Sequence, residues 1–333
     1  MIAHSALDLI FRDIFFEVDS FVPGVNVILK LEGFHITGSI KIKTAIALID
    51  DAEVRGNAIP GKTKIIESSS GNLGVALAFV CSLRGYSFVC VTDPKATQAS
   101  LRAIQAYGGE LIVVTDTDEN GGYVGTRMAV IKEILASDPN VLWVNQYANP
   151  ANKKAHFNQT AQEILKQYPN PDWLFVGVGT SGTFMGCAEH FKMHSPKTRV
   201  VAVDYAGSVT FGDKPRPRHV PGIGNSRRPE LVDPALADQI LLIDEFDAIR
   251  ICREMVLKYG LLLGGSSGAA LAAVRAVSQE FNPGDVAIVI APDFGDKYLD
   301  TVYNDHWVLS KFGRLPFTTD NTLTSDVLES YAK

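Results

Sequence analysis

Lys41 is the residue of this sequence whose type and position most clearly suggest covalent chemistry. It lies just inside a predicted helix start, in the segment 37–45 that reads Thr-Gly-Ser-Ile-Lys-Ile-Lys-Thr-Ala. The positive end of a helix and the apolar neighbours Ile40 and Ile42 both predict a lowered pKa for this lysine. A lysine that loses its proton near neutral pH can form imines. Most lysines are simply solvated at a surface, so Lys41 alone does not identify a reaction.

The turn at 177–183, Gly-Val-Gly-Thr-Ser-Gly-Thr, follows a predicted strand and opens a predicted helix. Backbone N–H groups at a helix N-terminus, together with the hydroxyls of this turn, form a suitable cup for a phosphate. The same residues satisfy the pattern G-x-G-x-x-G, and Asp204 ends the next predicted strand about 20 residues later, where a ribose-binding acid would belong. A nicotinamide dehydrogenase is therefore one interpretation of this turn, and a tight turn without any ligand is another.

Two further glycine-rich turns precede predicted helices. The turn at 68–74, Ser-Ser-Ser-Gly-Asn-Leu-Gly, suits a small carboxylate, although plain helix capping explains it equally well in isolation. The turn at 264–269 contains Ser266, which either caps the helix or donates into a site. Pyridoxal phosphate needs an imine lysine, a phosphate cup, a partner for its ring nitrogen and a loop for the substrate carboxylate. A dehydrogenase uses neither Lys41 nor the serine-rich turn, so the four features together favour pyridoxal phosphate.

Short apolar runs alternate with amphipathic segments along most of the chain, which predicts parallel sheets with helices on both faces. Nine strands are many for one sheet, so two lobes are expected from 333 residues. The predicted strands are 25–31, 63–67, 87–92, 110–114, 141–145, 173–178, 199–204, 239–243 and 285–291. The predicted helices include 72–83, 99–107, 123–136, 183–193 and 246–259, and the segment 145–151 is interpreted as a crossover between the lobes.

Composition mainly excludes other classes of function. The net charge is −6 and no run of basic residues occurs, so nucleic-acid and anionic membrane partners are not expected. No window approaches about 18 uncharged apolar residues, and charged Arg12, Asp13 and Glu17 interrupt the apolar N-terminal segment. The four cysteines are scattered without the spacing of a metal site, so no metal is expected. We therefore expect a cytoplasmic enzyme.

From about residue 25 to residue 307, the ordered set of turns resembles the fold-type II pyridoxal-phosphate enzymes, the cysteine synthase and cystathionine β-synthase family. The resemblance implies an α/β fold like that of tryptophan synthase β, with two open parallel-sheet lobes and helices on both faces. It implies a smaller, mobile lobe at 37–148 that binds the substrate carboxylate. A larger lobe, formed by 1–36 and 149–333, would bind the phosphate of pyridoxal 5'-phosphate. A homodimer is also implied.

The resemblance assigns individual residues. Lys41 matches the lysine that forms the imine, and Ser266 matches the serine that faces the pyridine nitrogen. The segment 41–43 reads Lys-Ile-Lys where many cysteine synthases have Lys-Asp-Arg, which leaves Lys43 as an alternative imine lysine. The remaining matches are Ser69, Ser70, Gly71, Asn72 and Gln146 for the substrate carboxylate, with Asn72 also near the cofactor, and Gly179, Thr180, Ser181, Gly182 and Thr183 for the phosphate cup, where Ser181 replaces a glycine.

Longer stretches at 119–127, 143–149, 207–215, 220–224 and 296–300 are similar to one branch of the family, the N-(2-amino-2-carboxyethyl)-L-glutamate synthases of 2,3-diaminopropionate biosynthesis. These enzymes join O-phospho-L-serine to L-glutamate through an aminoacrylate and release phosphate, for siderophore or antibiotic assembly. Arg127 either binds the anionic groups of such substrates or lies solvated on a helix face, and Tyr147 either donates to the incoming glutamate or packs. The alternative is a cysteine synthase that uses sulfide with O-acetylserine or O-phosphoserine.

Overall fold

The computed structural model describes residues 5–8 and 11–317. The strands within these residues are β1 (Phe15–Glu17), β2 (Asn26–Leu31), β3 (Lys64–Ser68), β4 (Ser87–Thr92), β5 (Glu110–Val113), β6 (Val141–Trp143), β7 (Trp173–Gly177), β8 (Arg199–Tyr205), β9 (Gln239–Ile243) and β10 (Val286–Ala291). The α-helices are α1 (Lys41–Val54), α2 (Asn72–Arg84), α3 (Gln98–Ala106), α4 (Val124–Ser137), α5 (Pro150–Ala155), α6 (Ala161–Gln167), α7 (Gly182–His194), α8 (Glu245–Tyr259), α9 (Gly265–Ala276) and α10 (Asp305–Phe312). A π-helical turn, His156–Thr160, joins α5 to α6.

The strands form two sheets, one with the order β1-β2-β10-β7-β8-β9 and one with the order β5-β4-β3-β6. All nine predicted strands are present, and their pairings are parallel. The exception is β1, which pairs antiparallel with β2 at the edge of the larger sheet. Strand β1 is not among the nine strands predicted from the sequence. A strand of three partly exposed residues has too little periodicity to be recognised in the sequence.

Helices cover both faces of each sheet, as predicted. Strand side chains alternate between the faces, so Leu29 and Val289 contribute to one apolar cluster while Ile28 and Ile288 contribute to the other. Helices α8 and α9 supply the first cluster and α7 supplies the second. Helices α1, α2 and α3 pack on one face of the smaller sheet and α4 packs on the other. Two separate sheets, each with its own buried layers, make the fold an α/β fold of the expected class.

The segment after β6 differs from the sequence interpretation. Residues expected to be a plain crossover lead into α5, whose first turn is capped where the Asn149 side chain accepts a hydrogen bond from the Ala151 N–H at 2.9 Å. The helix continues through the π turn into α6. Its buried face carries the polar residues Asn152, His156 and Thr160, so it lacks the apolar stripe by which helices are recognised. No helix among the described residues is both long enough and apolar enough to cross a membrane.

Each of the glycine-rich turns lies directly before a helix. The turn after β3 opens α2, the turn after β7 opens α7, and Gly264 precedes α9. An isolated bridge between Ser39 and Asp293 brings the start of α1 to the chain that follows β10. Ligands in open α/β folds gather at the carboxyl ends of parallel strands. The fold therefore assembles the predicted turns at one site.

Candidate active site

One pocket collects most of the residues that the sequence predicts for the site. Residues that line it come from α1, from the turns after β3 and β7, from α4 and from the chain after β6. The predicted residues that line it are Lys41, Ser69, Ser70, Gly71, Asn72, Arg127, Gln146, Tyr147, Gly179 and Thr180. Ser181, Gly182, Thr183 and Ser266 do not line it. Ser266 lies behind the wall, with its Oγ 3.4 Å from where Gly222, a lining residue, would carry a side chain.

Lys41 is the first residue of α1 and reaches the pocket. Burial lowers the pKa of this lysine to about 8, and no carboxylate opposes the shift in the part of the chain that the structure describes. The lowered pKa expected from the sequence is therefore present, with burial as its cause. At pH 7 about a tenth of such an amine is unprotonated, against less than about a thousandth of a solvated lysine, so it can act as a nucleophile or a base.

Lys43, the alternative imine lysine, is held in an ionic cluster. Its Nζ donates to Glu163 Oε2 at 2.7 Å and to Glu32 Oε1 at 3.1 Å, and its side chain is fully buried. Burial by itself would lower the pKa of the ammonium, but the two carboxylates outweigh burial and raise it. A permanently charged, fully bonded ammonium is a poor nucleophile, so the geometry favours Lys41.

The serine-rich turn both caps α2 and faces the pocket. Ser69 Oγ accepts from the backbone N–H of Gly71 at 3.2 Å and of Gly74 at 3.0 Å, which is the capping role. Nothing lies within 4 Å of where Gly71 would carry a side chain, so its backbone is open to a ligand. Gln146 is anchored beside the turn, because its Nε2 donates to the Ser68 carbonyl at 2.8 Å. The turn therefore leaves the Ser70 hydroxyl available for a carboxylate, whereas the Gly71 N–H is already given to Ser69 Oγ.

Asn72 is held by two residues that the sequence analysis missed. Its Nδ2 donates to Asp293 Oδ2 at 2.7 Å, and its Oδ1 accepts from Lys297 Nζ at 2.7 Å. The same Lys297 ammonium lies 3.3 Å from the carbonyl of Gly38, three residues before Lys41. Lys297 lies in the stretch 296–300, and the similarity of this stretch to one branch of the family was the available signal for it in the sequence. The two residues lock the carboxylate turn to the loop that leads into Lys41.

The turn that opens α7 has the composition of a phosphate site. Ser181 adopts the left-handed conformation, with φ 72°, at the position where the resembled family has glycine. Its Oγ is buried without a hydrogen-bond partner among the described residues. Gly182 has no room for a side chain, because a Cβ there would lie 2.1 Å from Asn152 Oδ1. N–H groups and hydroxyls that no described carboxylate contacts fit the phosphate of pyridoxal phosphate.

Arg127 lies on α4 as a buried guanidinium with unused donors. Its side chain is 5% exposed, and Nη1 lies 3.3 Å from Asp93 Oδ2. Neither Nε nor Nη1 makes a hydrogen bond within residues 5–8 and 11–317. Tyr147 beside it packs against Val124 and Met128 and also lines the pocket. A buried cation with unsatisfied N–H groups is costly unless an anion binds it, so Arg127 marks an anion site.

The pocket as a whole is cationic in a protein whose net charge is −6. Lys41 and Arg127 are joined at its lining by Lys95 and Arg218, which the sequence analysis missed, whereas Asp93 is the single carboxylate among the described lining residues. Lys95 follows β4 and Arg218 lies between β8 and β9. The two residues are far apart in the chain, so their local sequences do not indicate that both reach one pocket. Asp204 is buried, accepts from the Tyr205 N–H and does not line the pocket. Asp204 is therefore not at the pocket, where a dehydrogenase would require an acid to bind the ribose.

Comparison with known proteins agrees with this site. The family model described as pyridoxal-phosphate dependent enzyme matches residues 16–293. N-(2-amino-2-carboxyethyl)-L-glutamate synthase of Ralstonia nicotianae is 41% identical over 312 residues, 92% of each chain. The structure of an O-ureido-L-serine synthase superposes with a TM-score of 0.84 at 29% identity, over 98% of this chain and 100% of that one. A hydrogen sulfide-producing enzyme of Fusobacterium nucleatum gives 0.83 at 31% identity, over 90% and 100%.

The family match and the site geometry lead to the same conclusion. The match covers both sheets, and the relatives align over nearly the whole chain. The structure supplies an unpaired lysine of lowered pKa and a phosphate cup of hydroxyls and N–H groups. The chain belongs to the pyridoxal-phosphate dependent enzymes, and pyridoxal 5'-phosphate is its cofactor.

Proposed function

We propose that this enzyme catalyses β-replacement on O-phospho-L-serine with L-glutamate as the nucleophile, giving N-(2-amino-2-carboxyethyl)-L-glutamate and phosphate. The observation that carries the proposal is the cationic pocket with the buried, unsatisfied guanidinium of Arg127. Both substrates carry two acidic groups, and the leaving group is itself an anion. Fixed cations in a site of low dielectric bind such groups strongly. The 41% identical relative carries the name of this activity.

The residues of the chain have separable roles in this reaction. When bound, the cofactor supplies an electron sink for negative charge at the substrate Cα. Lys41 Nζ holds the cofactor and, once released as a free amine, takes the α-proton as general base. Ser70 and the second Nε2–H of Gln146 bind the α-carboxylate beside the open face of Gly71, and Asn72 is oriented for the cofactor by Asp293 and Lys297. Ser266 is the neutral partner of the ring nitrogen, and Gly179 to Thr183 bind the phosphate.

Arg127 and two cations nearer the mouth of the pocket would select acidic partners. The Lys95 Nζ donates to the Arg218 carbonyl at 2.8 Å, which leaves two of its three N–H groups for a ligand. Neither Lys95 nor Arg218 forms an ion pair with a carboxylate among the described residues. The second carboxylate of glutamate is the group that these cations would recognise, and sulfide has no group that would use them.

The test is a comparison of nucleophiles with the native enzyme. O-Phospho-L-serine with L-glutamate should give sustained phosphate release and a product with a new C–N bond, identified by mass spectrometry. L-Glutamine, which lacks the second charge, is the matched control and should sustain release at least about tenfold more slowly, because a hydrogen bond to a charged group contributes about 1.5–3 kcal/mol. If sulfide sustains turnover and glutamate does not, the cysteine synthase alternative is correct and the proposal is wrong.

The pH dependence of cofactor capture tests the role of Lys41. Only the unprotonated amine attacks a carbonyl, and the pKa of Lys41 is lowered to about 8 by burial. The rate at which the apoenzyme captures pyridoxal phosphate should therefore rise about tenfold per pH unit below pH 8 and level off above it. Stopped-flow absorbance between pH 6 and 9.5, with the cofactor's own ionisation subtracted, measures this. A midpoint at about pH 10.4, which is the pKa of a solvated lysine, would contradict the assignment.

We further propose that residues 37–148 form a smaller lobe that closes when the carboxylate binds, against a larger lobe formed by 1–36 and 149–333. The four strands β3 to β6 lie inside the first range, which supports this division. We propose a cytoplasmic homodimer whose product supplies 2,3-diaminopropionate for a siderophore or an antibiotic. Light scattering of the purified protein tests the dimer directly. A monomer at assay concentrations would reject it.

A further inference from the structure

The helical segment from α5 through the π turn to α6 packs directly behind the phosphate cup. Asn152 and His156 lie one turn apart, on the face that meets the start of α7. The contact is close, because a Cβ at Gly182 would lie 2.1 Å from Asn152 Oδ1 and a Cβ at Gly186 would lie 2.2 Å from the Lys153 carbonyl. Both side chains, Asn152 and His156, are completely buried. Buried polar groups at such a contact need defined hydrogen-bond partners.

The hydrogen bonds of Asn152 have a unique direction. Its Nδ2 donates to the Gln146 carbonyl at 2.8 Å, and a carbonyl can only accept, so the amide orientation follows. The same Nδ2 donates to Thr180 Oγ1 at 3.2 Å. The Oδ1 accepts the hydroxyl proton of Thr44 at 3.1 Å. Asn152 therefore donates to a threonine of the cup and takes the one proton that Thr44 carries.

The direction of the Thr44 bond determines the tautomer of His156. Thr44 Oγ1 is 3.0 Å from His156 Nε2, and Thr44 is the one described residue that offers a proton to Asn152 Oδ1, so the arrangement that satisfies both buried groups makes His156 the donor. The Nε2–H also lies 3.3 Å from Thr183 Oγ1, the second threonine of the cup. The unprotonated Nδ1 accepts from Thr160 Oγ1 at 3.1 Å. Burial first, and then the neighbouring lysines, lower the pKa of His156 well below its usual value, which keeps the ring neutral.

The chain of hydrogen bonds begins at a buried ion cluster. Lys43 Nζ, which can only donate, gives a hydrogen bond to Thr160 Oγ1 at 3.4 Å. The hydroxyl proton of Thr160 is then the one that forms the hydrogen bond to His156 Nδ1. Glu32 and Glu163 hold the Lys43 ammonium in place. The chain ends at donors to both threonines of the cup, Asn152 Nδ2 to Thr180 and His156 Nε2 to Thr183. The π-helical turn 156–160 contains both His156 and Thr160, and π turns are often found at functional sites.

We infer that Asn152 and His156 are positioning residues for the cofactor phosphate. They fill an acceptor site on the hydroxyl oxygens of Thr180 and Thr183, and so direct both hydroxyl protons into the cup. Neither hydroxyl donates elsewhere in the described part of the chain. A phosphate dianion, which only accepts hydrogen bonds, is the matching ligand. The inference rests on the cofactor and is independent of the identity of either amino-acid substrate.

A matched pair of substitutions at His156 tests this. In H156Q, the side-chain amide reaches the position of Nε2 and keeps the N–H donor, whereas in H156N it reaches only the position of Nδ1. The apoenzyme's affinity is measured for pyridoxal phosphate and for pyridoxal, which has no phosphate. H156N should weaken binding of pyridoxal phosphate about tenfold or more, with pyridoxal changed less than about twofold. H156Q should stay within about threefold of the wild type. Equal weakening of both ligands, or no loss in H156N, would overturn the inference.

Two further measurements separate positioning from simple destabilisation. His190, a buried histidine on α7 whose ring contacts Phe157, is the control, and H190N should leave the ratio of the two affinities unchanged. If H156N does not fold, nitrogen-15 NMR of the histidine rings in the wild-type apoenzyme decides the matter, with H156Q used for assignment. The Nε2–H neutral tautomer should persist from pH 6 to 9. A protonated ring or an Nδ1–H tautomer would exclude the proposed direction. Neither measurement uses phosphoserine or glutamate, so failure here is distinct from failure of the proposed reaction.

Discussion

Lys41→Ala is expected to lower the rate of β-replacement by about 10³-fold or more and to abolish covalent attachment of the cofactor. The variant removes both the nucleophile that holds the cofactor and the base that takes the α-proton, and general-base catalysis alone contributes about 10²–10⁴-fold. The measurement is turnover of O-phospho-L-serine, together with borohydride reduction and peptide mapping. A stable, modified peptide at any lysine other than Lys41 would contradict the assignment.

Lys43→Met is the matched control, two residues along the same helix. Its expected effect is on stability, because the side chain leaves Glu32 and Glu163 without their closest cation. Removal of one partner from a buried ion pair costs about 3–5 kcal/mol, although Lys30 still lies 2.9 Å from Glu163 and will reduce the loss. Denaturant unfolding measures this loss. Borohydride reduction of this variant should still label Lys41, and loss of that label in a folded protein would move the attachment to Lys43.

Arg127→Met is expected to lower kcat/KM for the complete reaction by about 10²-fold or more. The guanidinium is buried beside Asp93 and has two unsatisfied nitrogen donors, so an anion bound there loses a desolvated, charge-assisted partner. Arg127→Lys keeps the charge but lacks the planar guanidinium, so its kcat/KM should lie between those of the wild type and Arg127→Met. Phosphate release from O-phospho-L-serine alone, compared with product formation from glutamate, assigns the loss to one substrate. If both steps keep their wild-type rates, Arg127 is not in the site.

Two controls accompany the Arg127 variants. Arg127→Met with Asp93→Asn removes both charges, so a loss that came only from an unpaired Asp93 would be restored in the double variant. Arg102→Met removes an exposed arginine on α3 and should leave kcat/KM within about twofold of the wild type. Recovery of full activity in the double variant would reduce Arg127 to a structural partner of Asp93.

The cationic rim of the pocket explains how two anionic substrates can use one site. Lys95 belongs to the chain after β4 and Arg218 to the chain between β8 and β9, and a hydrogen bond joins them across the pocket. Asn120 reaches across in the same way, with its Nδ2 donating to the Ser226 carbonyl at 2.8 Å. The smaller sheet's loops therefore contact the larger sheet's loops at the pocket mouth. Closure of the mouth would remove water and strengthen the attraction between these cations and a carboxylate.

The elements proposed to hold the cofactor could be predicted from the sequence because their chemistry is local. A buried parallel strand must be apolar along its length, and the chain after it must turn tightly to expose N–H groups at a helix start. That requirement explains why β3 and β7, with the turns that follow them, were recognisable. The antiparallel β1 and the polar helix α5 were not, because a short edge strand and a buried polar helix face both lack a hydrophobic period.

By itself, the sequence determined the fold class and the order of the turns, and it predicted Lys41 as the reactive lysine with Lys43 as the alternative, since each depends on residue types within a few positions of one another. Tertiary structure decided which charges meet. It placed Lys43 between Glu32 and Glu163, which are far apart in the chain, and so separated two lysines that look alike in sequence. It brought Lys95 and Arg218 to the pocket and put His156 behind Thr183. Electrostatic and hydrogen-bond energies depend on distance and burial, and neither quantity exists until the chain has folded.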